Sequence, residues 1–194
     1  MIATSELTRN QLGGRPLGRV VFPAREIERR VETMGREISA SYPHLRADGQ
    51  GESDSPGLLV LGLLKGSFIF MADLVRKLSL PVQVDFLVAA SYGSGTVSSG
   101  DVKLVYDPDT DLTGRDVLIV EDIVDSGHTL NRILPLLQGR GPRSLEVCAL
   151  LHKKRVTLDR EPRWVGFEAP EEFLVGYGLD HSESLRHLPF IASI

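Results

Sequence analysis

VLIVEDIVDSGHTL, residues 117–130, is the stretch on which the reading of this chain turns. Val117, Leu118, Ile119 and Val120 form an apolar, branched run with the length and character of a strand covered on both faces. Glu121 and Asp122 mark the edge of that strand, and Asp125, Ser126, Gly127 and Thr129 place small, polar or conformationally permissive residues behind it. A helical pattern, TLNRILPLL, follows. The order is strand, loop, helix N-terminus. In an open parallel sheet, ligands bind at such places, outside the carboxyl ends of the strands.

Working outward, LLVLGLL (58–64) predicts a strand, residues 67–78 a helix, and residues 82–90 a second strand entered at Pro81; together these make a βαβ unit with a short crossover. Before it, AREIERRVETMGREISASY sets Ile27, Val31, Met34 and Ile38 at helical spacing, an amphipathic helix with one face packed. RADGQGESDSPG (46–57) reads as an exposed loop, and residues 1–18 as a flexible lead-in. Between the second strand and the opening motif, SYGSGTVSSG (91–100) is too polar and glycine-rich to pack, and DVKLVYD alternates weakly, as an edge strand does. A long loop beside a strand end is more often functional than decorative. After the helix, which runs to about Gln138, SLEVCALL is another strand, and the C-terminal stretch holds short apolar runs and turns. Repeated βαβ units predict a doubly wound, mainly parallel α/β sheet in one domain, 19–194. A small hood over the site would come from the N-terminal segment and about 162–194, with a mobile loop at about 91–103.

A chain of 194 residues suits one domain and can bury a substantial core. With 25% charged residues and a net charge of -4, it carries no basic footprint for nucleic acid, so any bound anion must be captured locally. The single cysteine, Cys148, lies in LEVCALL and reads as a buried core residue; no intrachain disulfide can form. The longest apolar stretch, GLLVLGLL, is far shorter than the about 20 residues of a membrane span. MIATSELTRNQLGGRP has no basic segment followed by an apolar core, so it does not read as a secretory signal. The expectation is a soluble cytoplasmic protein without nucleic-acid or membrane partners.

The loop DSGHT suits an anion. Ser126 and Thr129 hydroxyls and the backbone N–H groups around Gly127 can converge at a helix N-terminus, where unpaired donors and the helix dipole favour one phosphate. Glu121 and Asp122 have no basic neighbour in the chain, so a purely structural pair would repel itself without gain. Such a pair fits a cation or a diol: carboxylates accept hydrogen bonds from vicinal ribose hydroxyls, and oxygen ligands suit Mg²⁺. An acidic pair beside a phosphate cradle describes a sugar phosphate. The other common motifs are missing. No G-x-x-x-x-G-K-[ST] occurs, since LLKGS places Lys65 before its glycine, and there is no H-E-x-x-H, no cysteine pair and no G-x-S-x-G.

With these residues assembled, VLIVEDIVDSGHTL resembles the phosphoribosyl pyrophosphate signature of the type I phosphoribosyltransferases. LLKGSFIFMADL, SYGSGTVSSGDVKLVYD, LLHKKR and VGFEAPEEFLVGYGLDHSESLRHLPFI resemble the hypoxanthine-guanine branch, in order and in spacing, over about residues 58–194. The resemblance implies purine salvage: Mg²⁺-dependent transfer of 5-phosphoribosyl from phosphoribosyl pyrophosphate to N9 of hypoxanthine or guanine, with release of pyrophosphate. It implies that Glu121 and Asp122 hold the ribose hydroxyls with metal nearby, and that Asp125, Ser126, Gly127, His128 and Thr129 bind the 5′-phosphate. Asp125 would also act at purine N7 as the catalytic proton acceptor or hydrogen-bond partner. Lys65 and Gly66 would touch pyrophosphate, where the family has a strained, often cis, peptide. Lys153 would donate to purine O6, Phe173 stack on the base and the backbone of Leu174 read its exocyclic edge. Asp180 would hold a second Mg²⁺, Arg186 clamp pyrophosphate, and Ser91 and Tyr92 lead the mobile loop. Family members associate as homodimers or homotetramers, but the chain alone shows no interface.

Two positions depart from the family pattern. His181 stands where an aromatic Tyr usually follows the metal-binding Asp, and His128 fills a variable slot; neither removes a required group. Trp164 occupies a variable lead-in with no assigned role. The alternatives are a xanthine-preferring or broad 6-oxopurine enzyme and, in another class, a nucleotide-sensing RNA-binding regulator on the same fold. The negative charge and the presence of Lys65, Asp125, Lys153, Asp180 and Arg186 weigh against the regulator.

Overall fold

The computed structural model describes residue 12 and residues 17–45, 56–91, 102–106, 110–153 and 158–194. Strands β2 (Leu58–Leu64), β3 (Val82–Ser91), β4 (Val102–Tyr106), β5 (Asp116–Val124), β6 (Ser144–His152) and β7 (Trp164–Glu168) form one sheet in the order β4-β3-β2-β5-β6-β7. All neighbours pair in parallel except β3 and β4; VKLVY is the edge strand its weak alternation predicts, and it runs antiparallel. Strand β1 (Val20–Phe22) pairs with β9 (Ile191–Ser193), and β9 with β8 (Leu174–Val175), in a separate small antiparallel sheet. Leu12 and Leu17 pack against Val175, Leu185 and Leu188 beside that sheet.

Alternation along the central strands divides the core in two. Leu58, Val60, Leu118, Val120, Cys148 and Leu150 face helices α1 (Ala24–Ser41) and α2 (Phe68–Val75), where they meet Ile27, Val31, Met34, Ile38, Phe70 and Leu74. Leu59, Leu61, Val117, Ile119, Val147 and Ala149 face helix α3 (His128–Gln138) through Leu130, Ile133, Leu134 and Leu137. Strands buried on both faces need near-continuous apolar sequence, which is why these segments read as runs. Cys148, fully buried in this core, has its thiol pushed far up by burial.

Two boundaries differ from the sequence expectation. Strand β5 does not end at the acidic pair but continues to Val124, because β6 pairs with it as far as Val124 and His152. Glu121 and Asp122 therefore lie within a strand rather than on a turn. Helix α2 ends at Val75 instead of residue 78: the N–H groups of Lys77 and Leu78 bond to Leu74 and Val75, a tighter i→i−3 pattern that closes the helix early. The segments 46–55 and 92–101, the greater part of the two expected loops, lie outside the described residues.

Candidate active site

The carboxyl ends of β2, β5 and β6 open on one edge of the sheet, and the candidate residues gather there. Glu121 is 9% exposed, and its Oε2 has no hydrogen-bond partner among the described residues. Burial, then the neighbouring Asp122 carboxylate, pushes the Glu121 carboxyl well above its ordinary value. A solvated turn would not do this. Asp122, partly buried, is also raised by burial; its hydrogen bonds and the Arg186 charge pull the other way.

Beyond β5, Glu121, Asp125, Ser126, Gly127, Thr129 and Leu130 line a cavity of about 80 Å³. That is room for two or three waters or one tetrahedral anion, not for a nucleoside. Gly127 has a φ of 73°, a left-handed geometry that costs a glycine least, and it turns the chain straight into α3. Among the described residues no side chain caps this helix, which leaves the N–H groups of its first turn available to a ligand. His128 is the exposed first residue of α3.

Asp125 reaches sideways to β6. Its Oδ1 lies 2.8 Å from Lys153 Nζ, and Lys153 is anchored by its own N–H to the Val124 carbonyl at 3.0 Å. Two residues 28 positions apart in the chain (153 − 125) thus form one acid–base pair at the rim.

The end of β2 meets the C-terminal segment. The Leu64–Lys65 peptide is cis, and Gly66 packs so closely on the Asp122 carboxylate that a Cβ there would collide with it. On its other side, a Cβ on Gly178 would overlap the Gly66 carbonyl. Arg186 Nη1 donates to the Gly178 carbonyl at 2.8 Å, and Nη2 pairs with Asp180 Oδ1 at 2.8 Å and with Glu183 Oε2 at 3.3 Å. Glu183 Oε2 also lies 3.1 Å from Lys65 Nζ. Hydrogen bonds from Lys65 and Arg186 hold the Glu183 carboxyl below its ordinary value. Sequence reasoning passed over Glu183: in DHSESLR it carries no signal beyond its charge and its place midway between Asp180 and Arg186.

Phe173 is 56% exposed and meets His181 edge-on, with ring centroids 5.8 Å apart; Leu174 is buried in β8. Ser91 closes β3, and Tyr92 lies outside the described residues. Glu121, Asp122 and Asp180 do not form one metal cluster, and no group of three His, Cys, Asp or Glu able to hold a metal ion occurs among the described residues. An ion here would be held by one or two carboxylates together with substrate oxygens and water, as Mg²⁺ commonly is. The donor chemistry fits that ion.

Comparison with known proteins agrees with this geometry. Residues 29–182 match the model of the phosphoribosyl transferase domain. The chain is 44% identical to a hypoxanthine phosphoribosyltransferase of Salmonella typhimurium over 176 residues, 90% of this chain and 94% of the relative. It is 45% identical to a hypoxanthine-guanine phosphoribosyltransferase of Mycobacterium avium over 177 residues, 90% of this chain and 84% of that one. The crystal structure of a hypoxanthine phosphoribosyltransferase from Staphylococcus aureus superposes with a TM-score of 0.83 at 35% identity, covering 98% of this chain and 95% of the other. A phosphate-sized cavity beyond a buried acid, an acid–base pair on its rim and relatives similar along nearly their whole length lead to one conclusion: the chain belongs to the phosphoribosyltransferase family, in its hypoxanthine-guanine branch.

Proposed function

We propose that the protein is a purine-salvage enzyme that transfers 5-phosphoribosyl from phosphoribosyl pyrophosphate to N9 of hypoxanthine or guanine, giving IMP or GMP and pyrophosphate. The observation that carries this reading is the cavity lined by Glu121, Ser126, Gly127 and Thr129 at the start of α3, of a size for one phosphate, with the partly buried Asp122 beside Glu121 at its β5 side. A 5′-phosphate would sit on the first turn of α3 and the ribose hydroxyls on Glu121 and Asp122. Asp125 would take the proton at purine N7, Lys153 donate to O6, and Phe173 stack on the ring with the Leu174 backbone at its edge.

Lys65, Gly66 and Arg186 would hold the pyrophosphate, gathered as they are about Glu183 and Gly178. Mg²⁺ would be held near Glu121, Asp122 and Asp180 and would supply neutralisation of the leaving pyrophosphate charge. As the bond from the ribosyl carbon to pyrophosphate lengthens, Lys65 and Arg186 would stabilise the charge developing on the leaving group, and the Glu121 and Asp122 carboxylates the cationic carbon. The loop led by Ser91 and Tyr92, with the small sheet of β1, β8 and β9 as hood, would exclude water.

The same reading includes a cytoplasmic location, with its phosphorylated substrates, and association into homodimers or homotetramers. Support for association comes from the β3–β4 edge, where Val84 and Tyr106 are each about half exposed. Tyr106 pairs with Val88, placing it on the face that Val84 shares. Sedimentation at several protein concentrations tests it.

The deciding experiment is incubation of the purified protein with phosphoribosyl pyrophosphate and each of hypoxanthine, guanine, xanthine and adenine, with and without Mg²⁺. Magnesium-dependent IMP and GMP without AMP is the expected result. Nucleotide from no purine would overturn the reading, and a preference for xanthine would redirect it.

A further inference from the structure

Lys65 and Arg186 come from segments far apart in the chain, yet one carboxylate holds both: Glu183 Oε2 stands 3.1 Å from Lys65 Nζ and 3.3 Å from Arg186 Nη2. The backbone is bent to put it there. His181 and Ser184 exchange N–H···O bonds of 3.0 and 3.1 Å, closing a two-residue hairpin whose inner residues, Ser182 and Glu183, have φ values of 52° and 62°. Two successive positive φ values are the signature of a type I′ turn, where Asn-Gly is favoured. A Ser-Glu pair there is strained, and strain of this kind clusters where function requires it. The Glu183 N–H donates to Asp180 Oδ2 at 2.8 Å, and Oδ1 of the same carboxylate pairs with Arg186. The turn is thus tied to the group it serves. Arg186 Nε is buried without a partner among the described residues, so Asp180 and Glu183 leave that guanidinium with a donor to spare.

Resting on the assignment of Lys65 and Arg186 to pyrophosphate, we propose that Glu183 is a positioning residue that stands in for the pyrophosphate group in the free protein and is displaced when the substrate's diphosphate enters. Without it, the exposed Lys65 ammonium would lose its carboxylate partner beside an Arg186 guanidinium that Asp180 and the Gly178 carbonyl still hold. With it, both cations are committed to one carboxylate oxygen, which an entering diphosphate must displace. Once transfer has occurred, the carboxylate remains on its hairpin beside the bound product. It is a tethered competitor at high effective concentration, and it favours release of pyrophosphate.

Calorimetric titration of inorganic pyrophosphate with Mg²⁺ into the full chain and two variants tests this. Glu183→Gln keeps length and turn strain while removing the charge; Glu183→Gly removes the carboxylate and relieves the strain. Both variants are expected to bind pyrophosphate roughly 3- to 10-fold more tightly, the scale of one exposed and one half-buried ion pair no longer in competition. The gain should shrink as salt is raised. In turnover, kcat and the KM for phosphoribosyl pyrophosphate should fall together, a split that a merely structural role would not produce. Unchanged or weaker pyrophosphate binding by Glu183→Gln overturns the inference. Tightening by Glu183→Gly alone overturns it too, because turn strain and not the carboxylate would then be the cause. Failure of the wild-type chain to bind pyrophosphate at all would remove the proposed function, and this inference with it.

Discussion

Lys153 Nζ sits 2.8 Å from the Asp125 carboxylate, so the cation that would read purine O6 and the acid that would act at N7 are held as a pair before a base arrives. The pairing joins recognition to chemistry, since a base that draws Lys153 to its O6 also frees Asp125. Asp125→Asn should lower kcat by about 10²-fold with near-normal KM values, at the low end of the usual general acid–base contribution. Steady-state kinetics with hypoxanthine and guanine check this. Lys153→Gln should lose 6-oxopurine use selectively; equal loss with every base would reduce Lys153 to a structural lysine.

Gly66 has no room for a side chain, because Asp122 occupies the place of its Cβ. Gly66→Ala must push either the Asp122 carboxylate or the Lys65 segment aside. Displacements of this size in a site can cost about 10²-fold in rate. A comparable fall in kcat/KM for phosphoribosyl pyrophosphate is expected, and a thermal melt within a few degrees of wild type would show that the loss is local.

Glu121 contributes to stability with a sign opposite to most acids. Its folded-state pKa is raised above the ordinary 4.5, first by burial and then by Asp122, so its favourable contribution is complete below about pH 4.5. That contribution is lost as pH rises through the raised value. Glu121→Gln removes the penalty. In Mg²⁺-free buffer the variant should melt higher than wild type at neutral pH, by about 2–4 °C for each kcal/mol relieved in a chain of this size. The gap should close on acidification, and the KM for phosphoribosyl pyrophosphate should rise.

At the amino-terminal end of β5, far from the acidic pair, Asp116 behaves in the usual sense. Its side chain is 2% exposed and accepts hydrogen bonds from Arg143 Nε at 3.1 Å and Ser144 Oγ at 2.6 Å, with His44 Nε2 at 2.7 Å. Burial alone would raise its pKa, but these partners outweigh burial and hold it at about 2. Stability from this group is present above the ordinary 3.8 and is lost as pH falls toward 2. The loss amounts to about 2 kcal/mol. Acid unfolding followed by circular dichroism should show it, and Asp116→Asn should flatten that limb while costing stability at neutral pH.

The central sheet was legible because strands buried on both faces announce themselves: LLVLGLL gives β2 its observed bounds, and Ile27, Val31, Met34 and Ile38 form the buried stripe of α1. The turn into α3 was legible because Ser126, Gly127 and Thr129 fall within four consecutive positions of the chain. Long-range contact was not. Nothing in VVF or IAS says that β1 pairs with β9, and nothing local joins Asp116 to His44, 72 positions away. The length of β5 escaped for a related reason: Glu121 and Asp122 interrupt the apolar pattern, while the pairing that carries the strand past them comes from β6. Glu183 acquires its meaning only when the chain folds Lys65 against it.

The place of Cys148 in the core has a practical use. The chain's single thiol is fully buried, and its ionisation is suppressed. Thiolate is the reactive form, so the native protein offers thiol-directed dyes no cysteine to attack. A cysteine introduced on an exposed surface would be the sole labelling position. Fluorescence or spin labels could then follow the C-terminal segment during turnover without first stripping the chain of its own sulfur.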